Sequence, residues 1–387
     1  MADPRCHVIV IPYPAQGHIN PLLQFAKRLA SKGVKATFAT TPYTVNSIHA
    51  PNVGVEPISD GFDEGGFKQS SGVEAYLESF KTVGSRTLTE LILKFNASGF
   101  PVTCIVYDSL LTWAVDVAKQ LGIYAAVFLT NSASVCSMYW QIDQGLLTLP
   151  VKQETVPVSL PGLPSLDFYE LPSFLASPTT HSAYLETILQ KFHSLDKNDW
   201  VFCNSFEELE IETFQLNRLK KLRGFRSKQL AFPMGYQGFR KQAPVDFISS
   251  VGETGIVVAW CNQLEVLAHQ AVGCFVTHCG WNSTLEGLSL GVPMVGVTQW
   301  SDQPTNAKFI EELWKVGVRA KKDEEGIVRR QELEKCIREV MVGERSEEMK
   351  NKASKWRDLA KAAVGLGGSS DTKINQFVLK LLDEKKA

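Results

Sequence analysis

Residues 273–297 constrain the fold of this chain more than any other stretch. Gly273-Cys274-Phe275-Val276-Thr277 is a short apolar run whose length suits a buried parallel strand. His278-Cys279-Gly280 makes a tight turn. Trp281 to Leu290 reads as a helix, with Leu285 and Leu288 available to the core side. Gly291 stops it and Pro293 prevents its return. Pro293 to Val297 is the next strand. Strand, glycine-containing turn, helix and strand make one βαβ unit.

Such a turn aims the N–H groups of a helix start at whatever lies above the sheet, and the helix dipole favours an anion there. His278, at the strand's carboxyl end, can give that anion a further hydrogen bond. Ser283 brings a hydroxyl in the first turn, and Glu286 an acceptor for ribose hydroxyls. Trp260 ends the expected strand Gly255–Ala259 and offers a flat face for a base. Asp302 and Gln303 supply an acceptor and an amide suited to sugar hydroxyls. Plainer readings stand beside these. Ser283-Thr284-Leu285-Glu286 fits a capping box, in which Glu286 only satisfies a backbone N–H. His278 and Trp260 also fit as core side chains.

The continuous segment Trp260 to Gln303, 44 residues, resembles the signature box of plant secondary-product glycosyltransferases, UDP-sugar-dependent enzymes of glycosyltransferase family 1. The resemblance implies that Trp260 stacks on uracil and Cys261 contacts the base through its backbone. It implies that Gln263 and Glu286 hold the ribose. His278, Asn282 and Ser283, with Gly280 in the turn, would hold the diphosphate. Trp281, Asp302 and Gln303 would hold the sugar, and Gln303 closing the box suggests glucose over galactose. Asn262 stands where the family usually has proline, a loop position. A match of this length is far more specific than a lone glycine-rich motif.

The chain has 387 residues, enough for two domains with proper cores. A net charge of −1 leaves no basic field for nucleic acid or acidic membranes. Eight cysteines, without a C-x-x-C pair or histidines at zinc spacing, point to reduced thiols in the cytosol and to no metal site. The apolar run Val8–Pro12 is too short for a signal segment or a membrane span. A cytoplasmic monomer is the expectation.

In order, His7–Tyr13 reads as a buried strand. Pro14–Ile19 is a turn, and Asn20 caps a helix with Pro21 in its first position. Strands follow at Val34–Thr40, Val53–Ile58, Val102–Tyr107 and Tyr124–Leu129. Helical stretches lie at Val73–Phe95, after Asp108-Ser109, and at Asn131–Gln144. The alternation describes a doubly wound, mainly parallel sheet. His18 follows the first strand's carboxyl end, and Asp108 that of a later one. Ligands bind along that edge in open α/β sheets. A histidine backed by a carboxylate is a general base. The plain alternatives are that Asp108 caps a helix and His18 lies on a surface turn. Pro14-Ala15-Gln16-Gly17-His18-Ile19-Asn20-Pro21 looks like the family's N-terminal motif. By that resemblance His18 deprotonates the acceptor and Asp108 pairs with it. The N-terminal half is most similar to members acting on carboxylic acids, thiohydroximates and triterpenoids.

Val151–Thr180, rich in Pro and Ser, reads as a loop over the acceptor pocket or a plain connection. His181–Leu195 reads as helix, Asp199–Asn204 as strand, and Ser205-Phe206-Glu207-Glu208 as the opening of a capped helix. From about Phe214 to Val245 the text is basic and irregular, read as solvated linker rather than nucleic-acid surface. Only 47 residues separate Glu212 from Trp260. A doubly wound half has about six strands. Only Gly255–Ala259, Cys274–Thr277, Pro293–Val297 and a weak Gly317–Lys321 can be placed. The chain therefore resembles a family member with an internal deletion.

The expected fold is GT-B: two facing doubly wound Rossmann-like α/β domains, the second incomplete. An acceptor domain takes 1–213, an irregular linker 214–245, and a truncated UDP-sugar domain 246–387, whose final helices cross back to the first. The expected reaction is transfer of glucose from UDP-glucose to a small-molecule hydroxyl or carboxyl group, without metal or other cofactor. A non-catalytic small-molecule or partner binder is the alternative. A nucleotide-sugar epimerase fits poorly, because no G-x-G-x-x-G follows the first strand.

Overall fold

A computed structural model describes residues 3–176, 182–213, 255–258 and 261–383. The expected linker at 214–245 and the stacking residue Trp260 lie outside the described residues. Six strands form the first sheet: β1 (Asp3–Ile11), β2 (Val34–Thr40), β3 (Gly54–Pro57), β4 (Cys104–Asp108), β5 (Tyr124–Leu129) and β6 (Trp200–Cys203). All pair in parallel, in the order β3-β2-β1-β4-β5-β6. That is the doubly wound order, with its switch point between β1 and β4. The central strands are mostly apolar, Val8–Ile11 of β1, Cys104–Tyr107 of β4 and Ala125–Leu129 of β5, because helices cover both faces. Ile9, Ile11, Ile105 and Tyr107 join one core cluster, while Val8, Val10, Cys104 and Val106 join the other.

Helix α1 spans Gln16–Ser31, with Ile19, Leu22, Phe25, Ala26 and Leu29 buried under the sheet. The expected start at Asn20 is corrected. The first helical turn closes on Ala15, whose carbonyl accepts from Ile19 N–H at 2.8 Å. Pro21 thus stands inside the helix rather than at its first position. Helices α2 (Val73–Ala97), α3 (Ala114–Gln120), α4 (Ala133–Asp143) and α5 (Ser182–His193) complete the first unit. Ser132 caps α4, its hydroxyl accepting from Val135 N–H at 3.1 Å. The described residues 205–210 form turns rather than a capped helix.

The second unit holds α6 (Gln263–Leu267), β7 (Phe275–Thr277), α7 (Trp281–Leu290), β8 (Met294–Gly296), α8 (Gln303–Lys308), β9 (Gly317–Arg319), α9 (Arg330–Val342), α10 (Ser346–Val364) and α11 (Ser369–Asp383). Among the described residues its sheet has three parallel strands, β7-β8-β9. The fourth expected strand is corrected: Gly255–Val258 lies in no strand and is exposed, Ile256 at 88%. If the second sheet follows the order of the first, β7, β8 and β9 hold the places of β4, β5 and β6. The side of β7 that has no partner among the described residues is then the switch-point side. Val276 of β7 is 42% exposed.

Several contacts tie the units together. Glu170, from the loop before α5, meets Lys308 of α8 at 2.7 Å and Arg319 of β9 at 2.6 Å. Thr305 adds a hydroxyl bond to the Glu170 carbonyl at 2.7 Å. Helix α11 returns to the first unit: Phe377 packs against Phe25, Trp200 and Phe202. Its Asp371 takes the side chains of Arg28 and Lys32. Among the described residues no helix is long and apolar enough to cross a membrane.

Candidate active site

Strand β1 leads through the bend Tyr13–Ala15 to His18 in the first turn of α1, and β4 ends on Asp108, so both stand at the carboxyl edge where β1 and β4 are neighbours. The His18 Nδ1–H donates to Asp108 Oδ2 at 2.6 Å. Asp108 is fully buried, and its Oδ1 accepts from Leu110 N–H at 2.9 Å. Both carboxylate oxygens are therefore engaged. Fixing the proton on Nδ1 leaves Nε2 as the basic nitrogen of the neutral ring. Thr130 reaches Nδ1 at 3.3 Å, and Tyr13 lies edge-on to the ring with centroids 5.4 Å apart. Beyond Tyr13 come Tyr76, Phe80 and Trp113, in edge or tilted contact one with the next.

The second cluster is built by the turn between β7 and α7. Cys279 takes a left-handed φ of 62°, uncommon for a residue with a Cβ. Its N–H donates to Thr277 Oγ1 at 3.1 Å, and its carbonyl accepts from Asn306 Nδ2 at 3.0 Å. Gly280 is required by crowding: a Cβ there would come within 2.4 Å of His278 Nε2. The His278 ring therefore lies over the start of α7. Burial lowers its pKa, which Asp302 opposes, so the ring is neutral near pH 7 and can donate without repelling a proton donor. No side chain caps α7, so the capping-box reading of Ser283–Glu286 is corrected. Glu286 turns instead to Gln263, whose Nε2–H donates to Oε2 at 2.5 Å and reaches Ser283 Oγ at 3.2 Å. Glu286 is fully buried, and its Oε1 has no partner among the described residues. Burial pushes its pKa up to about 8, opposed by the Gln263 amide. A buried acceptor left open costs stability unless a ligand satisfies it.

Asp302 is buried at the start of α8 and accepts from Asn306 Nδ2 at 2.8 Å; burial raises its pKa. Gln303 uses its Oε1 to accept from Gln299 and Trp300 N–H at 2.8 and 3.1 Å. That leaves its amide N–H₂ as the group to offer outward. Cys261 is exposed, just before Asn262 and Gln263 at the start of α6. The structure does not bring the Trp281 side chain to the cluster. Its ring is buried against Trp314, and its Nε1–H donates to the Asn204 carbonyl at 2.5 Å. The Asn282 side chain reaches Gly17 and Asn204.

Sequence reading passed over Asn204, Thr130, Tyr13 and Asn306. A signal was present for two of them. Thr130 and Asn204 follow β5 and β6 at the same carboxyl edge that singled out His18 and Asp108. Among the described residues no group of His, Cys, Asp or Glu is placed to hold a metal ion.

Comparison with known proteins bears on this geometry. The family model described as "UDP-glucoronosyl and UDP-glucosyl transferase" matches residues 239–356, and "Glycosyltransferase, N-terminal domain" matches residues 5–58. "UDP-glycosyltransferase 74B1" of Arabidopsis thaliana is 41% identical, covering 97% of each chain. "Flavonol 7-O-beta-glucosyltransferase UGT74F1" of the same plant is 40% identical over 98% of this chain and 99% of its own. The first alignment runs over 452 residues, more than the 387 of this chain, so the relative carries residues this chain lacks. Among solved structures, Os79 from O. sativa in complex with UDP superposes with a TM-score of 0.90 at 32% identity, covering 97% of this chain and all of that one. With such identity sustained along nearly its whole length, this chain belongs to the plant UDP-glycosyltransferases of glycosyltransferase family 1, GT-B enzymes that use a UDP-sugar as donor.

Proposed function

We propose that the chain transfers glucose from UDP-glucose, with inversion, to a hydroxyl or carboxyl group of a small acceptor that is phenolic, a carboxylic acid or a terpenoid. The His18–Asp108 pair carries this reading. His18 Nε2 takes the acceptor proton, and Asp108 stabilises the imidazolium that forms. The acceptor oxygen bonds to the anomeric carbon as the carbon–oxygen bond to UDP breaks, and UDP leaves with the electron pair. Asp108, buried with both oxygens engaged, is unfit to attack the sugar, which favours one displacement over two. The start of α7 and His278 face the departing diphosphate, where a helix N-terminus and a neutral donor stabilise growing negative charge. Glu286 and Gln263 hold the ribose, Asp302 and Gln303 the sugar. The aromatic row behind Tyr13 suits a flat, apolar acceptor. The donor is α-configured, so the product of this mechanism is the β-glucoside. Proton NMR of the product decides it: an α-linked glucoside would overturn the single displacement.

Glu286 gives a pH dependence. Its carboxyl stays protonated to about pH 8 in the empty site, and a ribose diol is best held by the carboxylate. Below that pH, binding must release a proton. The affinity for UDP-glucose, whose diphosphate diester does not titrate here, should fall by up to roughly tenfold per pH unit from about pH 8 to pH 6. Calorimetry on the chain and on Glu286→Gln, which should show a flat profile, checks this. A flat profile in the unaltered chain would remove Glu286 from the ribose.

A second reading rests on one observation: among the described residues β7 pairs on one side only, with β8. A donor crevice built on one wall would bind UDP-glucose weakly and leave the chain a poor catalyst.

A further inference from the structure

Pro21 lies inside α1 and has no N–H. In an α-helix that missing donor would bond the carbonyl four residues back, which is Gly17. The Gly17 carbonyl accepts instead from Asn282 Nδ2–H at 2.7 Å, across the cleft from α7. A carbonyl can only accept, so the Asn282 amide has one workable orientation, and its Oδ1 turns to Asn204. There it accepts from Asn204 Nδ2–H at 2.9 Å. Asn204 in turn receives the Trp281 indole N–H on its own carbonyl. Asn204 is fully buried and Asn282 is 6% exposed, so water is a poor substitute for either bond. Three segments, 265 and 78 residues apart in the chain from Asn282, meet at one side-chain amide.

We propose that Asn282 is a positioning residue that latches the donor helix to the turn carrying the base. Gly17 directly precedes His18, so whatever fixes the Gly17 carbonyl fixes the start of α1 from which the imidazole projects. The proline creates the vacancy, and the other domain fills it. With the latch closed, His18 and the anomeric carbon held at α7 keep a set separation. With it open, the base-bearing turn is free of the donor helix although each half-site is intact. The inference rests on the glycosyl-transfer reading, and it gives Asn282 a task other than the diphosphate contact that family resemblance suggests.

The test compares the chain with Asn282→Ala, Asn282→Asp and Pro21→Ala. The last gives residue 21 an N–H that competes for the Gly17 carbonyl, and it touches no donor contact. Transfer kinetics with UDP-glucose and a phenolic acceptor, UDP calorimetry and amide exchange over residues 16–22 are measured together. The expected result is a kcat lowered roughly 10- to 100-fold in both Asn282 variants and several-fold in Pro21→Ala. UDP affinity stays within about twofold, and exchange at 16–22 is faster in all three. Weaker UDP binding with unchanged kcat in Asn282→Ala, and no effect in Pro21→Ala, would make Asn282 a diphosphate ligand and overturn the latch. If the unaltered chain turns over nothing, the functional reading fails separately. Amide exchange then decides the latch alone: faster exchange in Asn282→Ala upholds it, and equal exchange overturns it.

Discussion

Replacing His18 with alanine should reduce glucosyl transfer about 1,000-fold and leave UDP-glucose binding nearly unchanged. General-base catalysis contributes about 10²- to 10⁴-fold where a positioned group removes the proton in the transition state. Nε2 is the basic nitrogen here because Asp108 holds the proton on Nδ1. The donor contacts proposed for Gln263, Glu286 and the start of α7 belong to the other unit, where Gln263 bonds Ser283 and Glu286. Turnover of phenolic and carboxylic acceptors is measured beside UDP-glucose calorimetry. The measurement is best made both in this chain and in a version carrying its relatives' additional residues. Full activity in His18→Ala would remove His18 from the mechanism. A parallel loss of donor affinity would show that it acts through the fold instead.

Restoring the residues that the relatives carry and this chain lacks, which we place between Glu212 and Trp260, should strengthen UDP-glucose binding by at least about tenfold and raise turnover with it. The ladder of β7 is made on one side only, to β8, among the described residues. An unpaired strand edge leaves its N–H and C=O groups without their sheet partners. Val276, Ile256 and Val258 are 42%, 88% and 57% exposed. Each large apolar side chain brought from water to a core is worth roughly 2 kcal/mol, so covering three of them gives a gain comparable with a large part of a domain's stability. The ligand crevice of such a sheet also needs strands on both sides of the switch point. Limited proteolysis of this chain should degrade the C-terminal half sooner than the N-terminal one. Equal donor affinity in the two versions, with a protease-resistant second half, would show that the shorter chain is sufficient.

Much of the first unit was legible in the sequence because its central strands are doubly covered and therefore read as short apolar runs, such as Val8–Ile11 and Ala125–Leu129. His18 and Asp108 stood out by emerging at one edge. Trp281 shows where that reading stops. The motif drew it to the sugar, but its indole donates to the Asn204 carbonyl and packs against Trp314, and sequence spacing does not report what a ring packs against. The start of α1 was misjudged for a related reason. A proline favours the first helical position when the carbonyl four residues back has no other partner. Here that partner comes from Asn282, 265 residues away, and no local rule contains it. The exposed Gly255–Val258 run was read as a strand on its apolar, β-branched composition. A strand also needs a neighbour to pair with, and none is present among the described residues.

Helix α11 has a consequence for the order in which the molecule is completed. Ile374, Phe377, Val378 and Leu381 belong to the same buried cluster as Val8, Val10, Phe25 and Phe202. These four side chains leave the ribosome after the whole second sheet, yet they close a hydrophobic face of the first unit. The acceptor half must wait, its lower face open, through translation of the whole donor half. Whatever shields nascent apolar surface in the cell has its longest task on this chain at the underside of α1 and β6.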